Sequence, residues 1–107
     1  MRVTPNFRLE EFACHDAAKT PYPREWGTRL EGLCILLEEI RYRVGKPITI
    51  VSGYRTPEYN RAIGGARHSQ HVRGRAADIT VKGMSAAKVH TVCLELAREG
   101  LWQIGGI

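Results

Sequence analysis

Between Arg24 and Val44 the apolar residues Leu30, Leu33, Cys34, Leu37, Ile40 and Val44 recur at three- and four-residue intervals, with acids and arginines among them. That spacing places them on one stripe and predicts an amphipathic helix over about 24–44. Gly45 suits the position after its last turn, and Lys46-Pro47 prevents continuation. Ile48-Thr49-Ile50-Val51 is rich in β-branched residues and stops at Ser52-Gly53, which predicts a buried strand. Thr56-Pro57-Glu58 opens a brief second helix with a capping oxygen, a proline at the first position and an acid in the first turn; Gly64-Gly65 ends it.

A loop bearing His68 and His71 then leads into a strand over Arg75–Val81. Lys82-Gly83 turns the chain, and Ser85 caps a helix to about Glu99 whose buried stripe is Val89, Val92, Cys93 and Leu96, with Gly100 ending it. Leu101–Ile104 could begin another strand. Residues 1–22 read as irregular, with Phe7, Leu9 and Phe12 clamping the terminus onto the core. The element order predicts an α+β fold, a small antiparallel sheet with helices packed on one face.

At 107 residues, 43% apolar and 25% charged, the chain reads as a single globular domain over 1–107. No apolar run is long enough to cross a bilayer, and Met1–Leu9 lacks the apolar core of a signal peptide. The expectation is therefore a monomer without membrane insertion, cytoplasmic as synthesised. The three cysteines, Cys14, Cys34 and Cys93, form no CxxC pair, which argues against a disulfide framework. Cys34 and Cys93 read as small core residues, and Cys14-His15-Asp16 as an unpromising metal cluster because adjacent residues rarely converge on one ion.

Sixteen Lys and Arg against eleven Asp and Glu give a net charge of +5, which suits an anionic partner: nucleic acid, a membrane surface or a cell-wall polymer. The excess is concentrated in Arg55, Arg61, Arg67, Arg73 and Arg75, in a segment whose acids are Glu58 and Asp78. These arginines form either a solvated face or a substrate-facing one. No nucleic-acid reading motif accompanies them, so a nucleic-acid partner is not expected.

The candidate chemistry lies in Ser69-Gln70-His71-Val72-Arg73-Gly74-Arg75-Ala76-Ala77-Asp78. An acid set into an apolar strand needs compensation for its charge, and a divalent metal shared with the nearby imidazole supplies it, since zinc accepts both His nitrogen and Asp oxygen. The bland alternatives are a loop histidine bonded to backbone for His71 and a turn or cap acid for Asp78.

Ser52-Gly-Tyr-Arg-Thr-Pro-Glu-Tyr-Asn60, Gly64-Gly-Ala66 and Ser69-x-His71-x-x-Gly74-x-Ala76-x-Asp78 together resemble the zinc D-Ala-D-Ala carboxypeptidases and related murein peptidases of the hedgehog/DD-peptidase fold. The resemblance runs over roughly residues 6–107, from the Phe7-x-Leu-x-Glu-Phe12 opening to the closing Gly105-Gly-Ile107. It implies that His71 and Asp78 are zinc ligands and that Arg55 holds substrate; for Arg55 the alternative is a surface ion pair with Glu58. It also implies substrate contact for Ser69, whose alternative is a loop-capping hydroxyl. Gly74 and Ala76 read as small residues that let loop and strand approach each other and the metal, Asn60 and Tyr54 as braces, and His68 as a second layer or exposed. His90 is assigned nothing.

The family's third zinc ligand and its general acid/base come from a His-containing motif beyond the Gly-Gly-Ile, so both are expected beyond Ile107. The remaining possibilities are a pseudoenzyme, or a shell completed locally by His68 or His15. The resemblance thus implies a zinc metallopeptidase acting on peptidoglycan stem peptides, and the missing signal peptide, small size and positive charge fit either a phage-type lysin or a bacterial cytoplasmic or recycling enzyme. The alternative is a non-catalytic murein-binding module.

Overall fold

The computed structural model describes residues 1–98. The helix end at Gly100 and the strand at 101–104 lie outside them. The elements run β1 (Arg2–Thr4), β2 (Phe7–Arg8), α1 (Gly27–Val44), β3 (Ile48–Ser52), α2 (Pro57–Ala62), β4 (Asp78–Val81) and α3 (Ala86–Arg98). The chain belongs to the α+β class, with two antiparallel two-stranded sheets, β1–β2 and β3–β4.

Helix α1 buries Leu30, Leu33, Cys34, Leu37 and Ile40, the predicted stripe, and Gly45 closes it in a left-handed conformation with its N–H on the Arg41 carbonyl. The helix begins at Gly27 rather than Arg24 because a 3₁₀ turn occupies Arg24–Trp26, where the Trp26 N–H reaches the Pro23 carbonyl. The Thr56 hydroxyl caps α2 through the Tyr59 N–H, and the Ser85 hydroxyl accepts from the Lys88 N–H at the start of α3.

The pair β3–β4 departs from expectation in two ways. Ile48 faces Val81 and Ile50 faces Ile79 on the side packed against α1 and α3, while Thr49 and Thr80 face outward and Val51 is 49% exposed. The strand read as buried is therefore half-buried, because among the described residues helices cover one face only. Pairing also slips: Ile50 opposes Ile79, but Ser52 opposes Asp78, leaving Val51 as an extra residue, a β-bulge. Strand β4 correspondingly starts at Asp78, not Arg75. The acid stands at the strand's mouth, with its side chain 43% exposed, and not in an apolar interior.

Residues 1–22 are not wholly irregular, since β1 and β2 form a short hairpin. Its sequence lacks the alternation that announces a strand, and it is held by packing: Phe7 and Phe12 are fully buried and belong to the central core. Asp16 accepts the Thr20 N–H and hydroxyl at 2.8 and 2.6 Å, a turn-capping role rather than a metal-binding one. Cys14, Cys34 and Cys93 are buried free thiols.

Candidate functional site

The loop from Gly65 to Ala77 is a chain of tight turns. Backbone N–H groups of Ser69, Val72, Arg73, Gly74 and Arg75 bond carbonyls three to five residues back. The Ser69 hydroxyl accepts the His71 N–H at 3.2 Å, the capping role weighed for it above, and this leaves its own O–H free to donate. Gly74, at φ +69, adopts a left-handed conformation, and its carbonyl accepts the buried Tyr22 hydroxyl at 2.7 Å. A Cβ on Gly74 would come within 2.6 Å of that hydroxyl and 2.8 Å of the Trp26 ring. Its smallness therefore serves close contact with these aromatic side chains.

Those aromatics form a support behind the loop. Tyr22, Trp26 and Tyr54 meet edge to face, with centroids 5.9–6.3 Å apart. Arg29 stacks over Trp26 and donates to the Arg73 carbonyl at 3.1 Å.

This scaffold brings His71, Asp78 and Arg55 together. His71 is buried, and its Nδ1 lies 2.8 Å from the Gly53 carbonyl at the end of the bulged strand. A carbonyl can only accept, so Nδ1 carries a proton, and Nε2 is the ring nitrogen turned toward Asp78. That Nε2 is 3.5 Å from Asp78 Oδ2, and the same oxygen is 3.6 Å from an Arg55 guanidinium nitrogen. Two lone-pair donors facing each other call for a cation between them, whether a proton or a metal.

The spacing suits zinc. Bonds of about 2.0–2.1 Å at a tetrahedral angle separate two ligand atoms by about 3.3 Å. The carbonyl that fixes the imidazole through its other nitrogen is the arrangement usual behind a metal-bound histidine. Among the described residues, however, no group of three His, Cys, Asp or Glu residues converges, so neither His68 nor His15 completes the shell. The third ligand and acid/base expected beyond Ile107 lie outside these residues.

Arg55 does not pair with Glu58. It reaches Asp78 and, at 3.3 Å, Asn60 Oδ1, while Asn60 donates to the Ala66 carbonyl at 2.9 Å. Asn60 thus braces the loop, as expected, and also holds the arginine. The Arg55 Nε–H is buried and has no acceptor among the described residues. His68 is exposed.

Sequence reading missed Gly53, whose carbonyl orients His71, and Tyr22, which pins Gly74. The first was visible only as a strand terminator. The second lies 52 positions from its partner, and no local pattern marks it.

No helix among the described residues is long and apolar enough to cross a membrane. A family model described as Peptidase M15 matches residues 5–105. No curated protein and no solved structure matches the chain.

Proposed function

The chain belongs to the peptidase M15 family, and on that premise we propose that it is a zinc-dependent metallopeptidase cleaving peptide bonds in peptidoglycan stem peptides. The observation that carries the reading is the 3.5 Å approach of His71 Nε2 to Asp78 Oδ2, with Nδ1 committed to the Gly53 carbonyl. His71 and Asp78 would hold the ion. When bound, zinc supplies positive charge that polarises a carbonyl and acidifies water.

The chain's own residues do the rest. The Gly53 carbonyl holds the imidazole through Nδ1, with Nε2 turned toward Asp78. Arg55, tethered by Asn60, presents a planar fork of donors to a substrate carbonyl or carboxylate and stabilises negative charge that develops there. The Ser69 hydroxyl has a proton to offer a peptide carbonyl. Gly74 and the aromatic support keep the loop from relaxing away from Asp78.

The test is the zinc content of the purified protein and the release of soluble peptide from purified murein, for wild type and His71→Ala. Zinc-dependent release that His71→Ala abolishes supports the peptidase. Murein binding with no release by either form, zinc supplied, overturns it in favour of a non-catalytic binding module.

A further inference from the structure

Beside Asn60, a cavity of about 420 Å³ is lined by Pro57, Asn60, Arg61, Gly65, Arg67 and Val72. Its lining includes Arg61 and Arg67 and no acidic residue. Among the described residues, neither Arg61 nor Arg67 has an ion-pair or side-chain hydrogen-bond partner. Both arginines are exposed and stay solvated, but two cations lining one concavity with no acid among its lining residues add their fields on a shared anion.

Two lining residues link the cavity to the site. Asn60 lines it and also accepts from Arg55, and Val72 follows His71 directly. The partition between them is thin: a Cβ on Gly65 would sit 2.0 Å from Asn60 Oδ1 and 3.2 Å from the Arg55 guanidinium. Both amide ends of Asn60 are already engaged, by Arg55 and by Ala66, so the cavity's free hydrogen-bonding capacity belongs to its arginines.

We propose that this cavity is a carboxylate-binding subsite, in which Arg61 and Arg67 together grip a free carboxylate of the same peptide whose scissile bond is presented to His71 and Asp78. The inference rests on the peptidase reading for its ligand class. Paired guanidinium forks match a carboxylate in shape as well as charge. The subsite would select acidic peptides over their amidated counterparts.

The test uses two synthetic peptides, Ala-γ-D-Glu-Lys-D-Ala-D-Ala with the glutamate α-carboxylate free or amidated. Each is titrated calorimetrically into the full chain at physiological salt, with chelator present so that the peptides stay intact. Wild type should bind the acid about fivefold or more tightly than the amide, the size expected of two charge-assisted contacts in a half-open site. The ratio should fall to about 1 in Arg61→Ala/Arg67→Ala and invert in Arg61→Glu/Arg67→Glu. Both positions are exposed, so the variants should fold. Equal affinities in wild type, a preference that survives the double variant, or binding of neither peptide overturns the proposal. Cleavage of the same peptides with zinc restored is scored separately: absence of cleavage sinks the peptidase reading, while the binding ratio still decides the subsite.

Discussion

Gly53 and Phe12 lie back to back, so close that a Cβ on Gly53 would stand 2.7 Å from the Phe12 α-carbon and 2.9 Å from its carbonyl oxygen. The neighbouring Tyr54 N–H bonds that same oxygen at 2.9 Å, while the Gly53 carbonyl holds His71. Neither obstructing atom can rotate aside. Gly53→Ala should therefore cost at least the roughly 1–3 kcal/mol typical of overpacking and, if His71 ligates zinc, should also weaken zinc binding by displacing the carbonyl. Urea denaturation and a zinc titration on the same sample check both effects. Unchanged zinc affinity in a destabilised variant would show that the carbonyl does not orient the ring.

Asp78→Asn preserves shape and removes charge. If the carboxylate ligates zinc, affinity should fall by more than the roughly 10–100-fold that loss of an outer-shell partner costs. Competition with a chromophoric chelator measures this. The side chain is 43% exposed, so the fold should tolerate the change.

Arg55→Lys keeps a cation near Asp78 and loses the fork. Turnover of murein peptides should drop by roughly 10²–10³, the range for removing one transition-state donor, while zinc content stays unchanged. A parallel loss of zinc would instead make the arginine a support of the metal pair.

Tyr22→Phe leaves the Gly74 carbonyl without its buried partner, 2.7 Å away in the native protein. The expected destabilisation is about 1–3 kcal/mol, read as a lower denaturation midpoint.

Alkali should destabilise the protein in a defined window. Burial, reinforced by the Glu11 and Glu38 charges, pushes the Cys34 thiol up from 9.0 to about 12. Burial, partly offset by Arg29, pushes the Tyr22 phenol up from 10.0 to about 12. Both folded values exceed the unfolded ones, so the folded state retains protons that the unfolded chain releases. Stability is full below about pH 9 and declines as pH rises toward 12, by about 1.4 kcal/mol per pH unit for each group in its window. Denaturation midpoints from pH 8 to 11 test this, and Cys34→Ala should flatten the early part of the decline. Cys34 should also resist alkylation at pH 8 until the protein unfolds.

What can be read from the sequence is local. The stripe of α1, the caps at Thr56 and Ser85, and the tight spacing of Ser69, His71, Gly74 and Asp78 each need only neighbours to be interpreted. What is not legible depends on distant partners. The hairpin at Arg2–Arg8 follows no alternation and is held by the burial of Phe7 and Phe12. Asp78 reads as mid-strand because the apolar run continues back to Ala76, whereas ladder pairing ends at Ser52. The bond from Tyr22 to Gly74 and the carbonyl behind His71 arise only when separate segments are brought together.

The supernumerary Val51 sets a rule for tolerated change. Deleting one residue between Ile50 and Gly53 would restore an even ladder and rotate the following peptide plane, carrying its oxygen away from the imidazole. Relatives that keep this histidine geometry should keep the irregular spacing too, even where the amino-terminal hairpin lengthens or disappears. Length, more than side-chain identity, is what that short stretch has to preserve.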